Sequence, residues 1–133
     1  MTQNQEAQTA IRELLAGYAL TLDAGDSDAC VELFTADAQF QVYGRSFAGH
    51  DGIRKMFGDA PRGLHLTGAA RIDVRDDTAT ARSQVLFVRA GSLQLRPALY
   101  DDELVRHGGW WRFRSRRCRF ITSYGLSDSP EVS

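Results

Sequence analysis

Few side chains in this sequence have the chemistry to move a proton, and they are scattered along it. There are three histidines. His107 stands beside Gly108-Gly109 in what reads as a hairpin turn facing water. His50 lies in the loop Gly49-His50-Asp51-Gly52, where a capping or surface role is expected. His65 differs, because it opens a strand in Gly63-Leu64-His65-Leu66-Thr67-Gly68, between two leucines. Asp23 is the carboxylate at the point where the first helix runs out. An imidazole beside a carboxylate in an apolar pocket is a general-base unit. The acid fixes the tautomer and stabilises the imidazolium, so the other ring nitrogen is free to take a proton from carbon. If the chain is an enzyme, the rest of it is built to bring His65 to Asp23.

Each of these residues also has a structural reading. An aspartate at a helix end is ordinary turn chemistry, and Asp26 and Asp37 are assigned to that role. Strict strand alternation counts against His65. It shares a face with Thr67, Arg71 and Asp73, opposite Leu64, Leu66, Ile72 and Val74. For His65 to look inward along with Ile72 and Val74, the strand must change phase between them, and Gly68-Ala69 is where a β-bulge can do so. Tyr18 lies five residues before Asp23, about 140° around an ideal helix. Both reach one cavity only if the helix loosens before Asp23.

Other constellations are missing. The sequence holds no phosphate-binding glycine loop, no nucleophile elbow and no HExxH. Scattered histidines and two distant cysteines, Cys30 and Cys118, lack the spacing of a metal site, so no metal is expected. Asp101-Asp102-Glu103 is an acidic cluster on a strand, expected to be solvated or paired with arginines, with one carboxylate able to face the pocket. A net charge of −1 gives no general attraction to nucleic acid or anionic membrane. An apolar share of 43% with 25% charged residues is that of a soluble globular chain. With free cysteines and no leader-like or membrane-spanning run, a cytoplasmic location is expected.

The elements that must position these groups follow from periodicity. The 133 residues are expected to form one domain, 1–133, with an ordered core over about 7–124. From about Ala7 to Leu22, the residues Ile11, Leu14, Leu15, Tyr18 and Leu22 recur at helical steps, and Asp23-Ala24-Gly25-Asp26 supplies the stop. A second helix from about Asp28 to Phe34 is capped by Asp26 or Ser27. Ala38–Tyr43 alternates as a strand, and Gly44-Arg45 turns it into Ser46–Ala48. A third helix covers about Asp51–Gly58. Four long strands follow, Leu64–Arg75, Thr78–Arg89, Leu93–Arg106 and Trp110–Ser123, and then an exposed tail from Ser127. Helices first and strands afterwards predict an α+β fold, one curved sheet with helices on one face. Strict alternation in the last strand turns Trp111, Phe113, Ser115 and Arg117 one way and Trp110, Arg112, Arg114 and Arg116 the other. A tryptophan on each face points to a homo-oligomer, a dimer or trimer.

The segments IRELLAGYALTLDAGDSDACVELFTADAQF, GRSFAGHDGIRKMF, LHLTGAARIDVRDDTATARSQVLFV and YDDELVRHGGWWRFRSRR resemble the SnoaL-like group of the nuclear transport factor 2-like superfamily. The resemblance runs from about Ala7 to Ile121. It implies a cone-shaped, curved mixed sheet wrapped over three helices and enclosing an apolar cavity. Within the group the chain looks most like the scytalone dehydratase, bile-acid dehydratase and hexachlorocyclohexane dehydrochlorinase branch. There the aspartate ending helix 1 and a histidine opening the first long strand form a dyad, at the positions of Asp23 and His65. The dehydratases' two tyrosines match Tyr18 and Tyr43. Some members add a late-strand arginine, which is Arg117 by strand face and Arg116 by alignment. One departure is that Gly68-Ala69 stands where members often carry Thr-Asn. The function implied is a cofactor-independent lyase, a dehydratase of a hydrophobic cyclic or steroid-like hydroxylated compound. Leu15, Phe34, Phe40, Phe57 and Phe87 are expected to line its pocket. An isomerase or cyclase using the same pocket, or a small-ligand binder without catalysis, is the alternative, because this fold hosts many functions.

Overall fold

A computed structural model describes residues 2–131. Helix α1 runs Gln3–Asp23, starting earlier than the apolar pattern implies. Thr2 and Gln5 form a capping box that satisfies otherwise orphaned amide groups, so residues expected to be loose are helical. Met1 lies outside the described residues. The buried face of α1 is Ala7, Ile11, Leu14, Leu15, Tyr18 and Ala19. Its end is a Schellman motif. The Asp26 amide donates to the Thr21 carbonyl and the Gly25 amide to that of Leu22, with Gly25 at φ 80°. The helix therefore stays regular through Asp23 and does not loosen before it.

Helix α2 is one short turn, Ser27–Val31, capped by the Asp26 carboxylate on the Ala29 amide. Strand β1 spans Phe34–Val42 and β2 Arg45–Ala48. The turn between them is Tyr43-Gly44, both at positive φ, one residue earlier than expected. Helix α3 is Gly49–Asp59, with Ile53, Met56 and Phe57 buried. The long strands are β3 Gly63–Arg75, β4 Thr78–Arg89, β5 Leu95–His107 and β6 Trp110–Thr122. A short β7, Gly125–Ser127, folds back on β6, so the chain is ordered further than the alternation pattern shows. Of the tail expected to be exposed, Val132 and Ser133 lie outside the described residues.

The sheet order is β2-β1-β6-β5-β4-β3, with β7 beside the end of β6. Neighbours are antiparallel except β1 and β6, which run parallel, so the sheet is mixed. One face curves around the helices, and the core between them joins α1 and α3 to the inner residues of β1, β4, β5 and β6. Among the described residues, no helix is long and apolar enough to cross a membrane.

Two irregularities set which side chains look inward. In β3, Thr67 pairs with Val85 and Ala70 with Ser83, so Gly68 and Ala69 together oppose Gln84 alone. This is the bulge the sequence requires. Before it Gly63 and His65 face the interior, and after it Ala70, Ile72 and Val74 do. In β6, Glu103 pairs with Ser115 and Leu104 with Phe113, which leaves Arg114 as an extra residue. Phe113 is inward before this bulge, and Arg116, Cys118 and Phe120 are inward after it. Strict alternation across that point assigns Arg117 to the interior. The bulge reverses the assignment.

Candidate active site

The site is built at the open end of the cone, where the last turn of α1 meets the start of β3. The Schellman turn leaves Asp23 as the final helical residue, its carboxylate toward β3. One oxygen, Oδ2, accepts the His65 backbone amide at 2.7 Å, and Oδ1 lies 2.6 Å from His65 Nδ1. Both side chains are mostly buried, 17% and 13% exposed. The backbone bond fixes the carboxylate before the imidazole meets it. The ring bond assigns the proton to Nδ1 and leaves Nε2 as the basic nitrogen. Burial pushes the His65 pKa below the usual imidazole value, more than contact with Asp23 raises it. The ring is therefore neutral near pH 7 and able to accept a proton.

His65 opens into an apolar cavity that is partly open to solvent. The Phe87 ring, centred 4.8 Å from the imidazole, forms one wall, with Phe40, Phe57, Val85 and Phe120 around it. Tyr18 and Tyr100 are buried in its floor. Burial raises the pKa of both tyrosines, so their hydroxyls keep their protons and serve as donors. Tyr43 lies at the rim, stacked on Phe120 with ring centroids 5.5 Å apart. Its φ of 58° is uncommon outside glycine, and the tight turn enforces it. Burial raises its pKa too.

Beneath the floor lies a buried guanidinium. Arg116 is 1% exposed, with its charge centre 4.1 Å from the Tyr18 ring, 4.3 Å from Tyr100 and 4.5 Å from Phe113. Its acid is Asp102, at 3.4 Å and without a hydrogen bond. Desolvation raises the Asp102 pKa to about 6, against the pull of Arg116. Three aromatic faces stabilise the guanidinium where the carboxylate alone does so poorly, each contributing on the order of 1–2 kcal/mol when desolvated.

The sequence-expected residues divide accordingly. Asp23, His65, Tyr18, Tyr43, Phe40, Phe57 and Phe87 all line the cavity. Leu15 and Phe34 do not. They are fully in the core behind Tyr18, with the Phe34 ring 5.0 Å from that of Phe113. Arg117 does not either. It points out and pairs with Asp128 at 3.1 Å, because the β6 bulge gives the inward position to Arg116. Of the acidic cluster, Asp102 is buried while Asp101 joins Arg82 and Arg119 on the outer side. His50 bonds the Phe34 carbonyl through Nε2 at 2.9 Å, and His107 is exposed in its turn. Tyr100, Arg62 and Arg96 are cavity residues that reasoning from sequence missed. For Tyr100 and Arg96 the signal was present. Alternation along β5 puts Arg96, Ala98, Tyr100, Asp102 and Leu104 on one face with no interruption. No group of metal-binding side chains is assembled among the described residues.

A curved mixed sheet closed by three N-terminal helices over an apolar cavity is the nuclear transport factor 2-like, or cystatin-like, architecture. The family model for the SnoaL-like domain matches residues 3–117, and the chain belongs to that family. Solved structures agree on the fold. A nuclear transport factor 2-like protein with a cystatin-like fold from Novosphingobium aromaticivorans is 26% identical, with a TM-score of 0.82 over 91% of this chain and 86% of that one. A protein described as a scytalone dehydratase by inference, from the same organism, is 24% identical, with a TM-score of 0.81 over 98% and 91%. A hexachlorocyclohexane dehydrochlorinase from Novosphingobium barchaimii is 19% identical, with a TM-score of 0.78 over 98% and 93%. No curated protein matches the sequence.

Proposed function

We propose that the chain is a lyase that removes water, or a comparable leaving group, from a hydrophobic cyclic hydroxylated compound of steroid-like character. The observation that carries this reading is the paired contact between Asp23 and His65 at the wall of an apolar cavity. His65 Nε2 takes a proton from substrate carbon, and Asp23 stabilises the imidazolium that forms. The electrons of the broken C–H bond become the new C=C bond as the neighbouring C–O bond breaks. Tyr18 or Tyr43 donates its hydroxyl proton to the departing oxygen, which leaves as water. Proton transfer, a polar donor and exclusion of water are all the step requires, so no cofactor is invoked. The dehydratase and dehydrochlorinase names carried by similar folds support elimination as the reaction class.

Turnover of hydroxylated ring compounds by the purified protein, followed by product mass, tests the reading. A product lighter by one water is expected. His65→Ala and Asp23→Asn should each lower kcat by about 10²-fold or more, the usual contribution of a positioned general base. Activity within a few-fold of wild type in both variants would exclude the dyad. A product of unchanged mass would assign the same pocket to an isomerase or cyclase.

We propose further that the protein works in the cytoplasm as a homo-oligomer. The free, buried thiols of Cys30 and Cys118 suit a reducing compartment. On the outer face of the sheet Leu64, Leu66, Leu95, Ile121 and Leu126 are 41–60% exposed, which is costly for an isolated chain.

A further inference from the structure

The cavity is apolar at its waist and cationic at its mouth. Arg62 and Arg96 line it, and Arg89 stands with them, since Arg96 and Arg89 both temper the raised pKa of Tyr43 at the rim. None of the three forms an ion pair among the described residues, although most other arginines on the sheet are paired. Arg96 is the most telling. Its Nη2 donates to Gln94 at 3.3 Å, while its Nε is buried without any partner. Leaving such a donor empty is unfavourable, more so when it carries charge. Glu131, beside Arg96, is turned to the amide and hydroxyl of Ser123.

The guanidinium of Arg62 is held in position by the end of α1. A Cβ on Gly25 would come within 2.8 Å of it, so the cation rests on the bare backbone of the helix C-terminus. The partial negative charge there favours a cation, while the Asp23 carboxylate at that helix end is engaged with His65. The Ala90 amide donates to the Arg62 carbonyl at 2.9 Å and ties that segment to the end of β4.

Strand register gives the spacing to the proposed base. Phe87 pairs with His65 on one side and with Arg96 on the other. His65, Phe87 and Arg96 therefore form one row across three strands, and the backbones of its ends are about 10 Å apart. A ring lying on Phe87 has His65 at one edge and Arg96 at the other. Arg89, opposite Gly63, is one pleat repeat further out.

We infer that the mouth of the cavity is an anion subsite, in which Arg96, across Phe87 from His65, and Arg62, beside the end of α1, hold a carboxylate or phosphate carried by the substrate. The inference rests on this cavity being the substrate site. It narrows the substrate class to amphipathic acids, with an apolar ring over Phe87 and an oxyanion at the rim. Guanidinium forks suit both oxyanions, and each charge-assisted hydrogen bond made there has a donor waiting for it.

Calorimetric titration of the whole protein with 2-naphthoate, 2-naphthyl phosphate and the uncharged 2-naphthamide tests this. At least one acid should bind about tenfold or more tightly than the amide. The tighter of the two identifies the oxyanion. Arg96→Gln and Arg62→Gln should each remove most of that preference while leaving amide binding unchanged. Arg71→Gln, on the outer side of β3, should keep it in full. Equal binding of acids and amide, no binding by either acid, or a preference that survives both cavity variants would overturn the subsite. His65→Ala separates this from the catalytic reading. It should abolish turnover and leave naphthoate affinity within about twofold. Unchanged turnover in that variant sinks the base and not the anion site.

Discussion

His65 is held by its backbone as well as its ring, and that double attachment makes Asp23 more than a partner to the imidazole. A carboxylate already bound to the strand amide cannot rotate away when the ring is neutral, so tautomer and orientation persist before substrate arrives. The depressed pKa has a consequence for the pH profile. Under the proposed mechanism activity requires neutral His65, so kcat/KM should rise with pH along a single acidic limb whose apparent pKa lies below about 6.5, and stay level above it. The same shift acts on stability. Between the folded and unfolded pKa values the unfolded chain binds more protons, so the His65 contribution to stability is lost as pH falls below about 6.5 and through the folded value. A limb centred above 6.5 would mean that contact with Asp23 outweighs burial and would contradict the pKa direction. Initial rates across pH 4.5–8.5, run beside thermal melts to exclude unfolding, make this measurement.

At the level of elements, two bulges decide what faces the cavity. The β3 bulge was legible because the chemistry demanded it. His65 and Ile72 could not both be inward on a regular strand, and Gly68-Ala69 offered the one place with no bulky side chain to lose. The β6 bulge was not legible. Arg112, Arg114, Arg116 and Arg117 are alike in type, and nothing in SRRC marks a phase change, so alternation chose the wrong arginine. Pairing with β5 is what leaves Arg114 over. Leu15 and Phe34 were misread for a related reason, since periodicity identifies a buried face but not its depth. The helix stop, the α+β order and the long β4 hairpin all followed from local signals. Deleting Ala69 should test the β3 bulge directly. The Ile72–Arg75 pairing with β4 holds the inner strand, so removing one residue turns His65 to the outer face. Turnover should vanish, and the imidazole pKa read by NMR should rise toward about 6.5 while the far-ultraviolet dichroism keeps its native shape. A deletion variant that keeps its depressed imidazole pKa would refute the bulge as the cause.

For the molecule as a whole, the helices cover one face of the sheet and leave the other partly apolar. Leu64 and Leu66 on β3 and Leu95 on β5 flank β4 at the open end, with Ile121 and Leu126 paired beyond them. Light scattering on the purified protein should give a mass of two or three chains, and Leu66→Glu with Ile121→Glu should shift it toward one. A monomeric wild type at micromolar concentration would remove the proposal of an oligomer. The cavity belongs to the other face, so these substitutions should leave His65 and its pKa unchanged. The β3 bulge has an evolutionary side as well. Because one spare residue sets which way the imidazole looks, a single inserted or lost codon is enough to turn His65 into the cavity or out of it. The pairing of residues 70–75 with β4 lies beyond the bulge, so under the proposed function descendants with one residue more or fewer in β3 would differ in catalysis on the same scaffold.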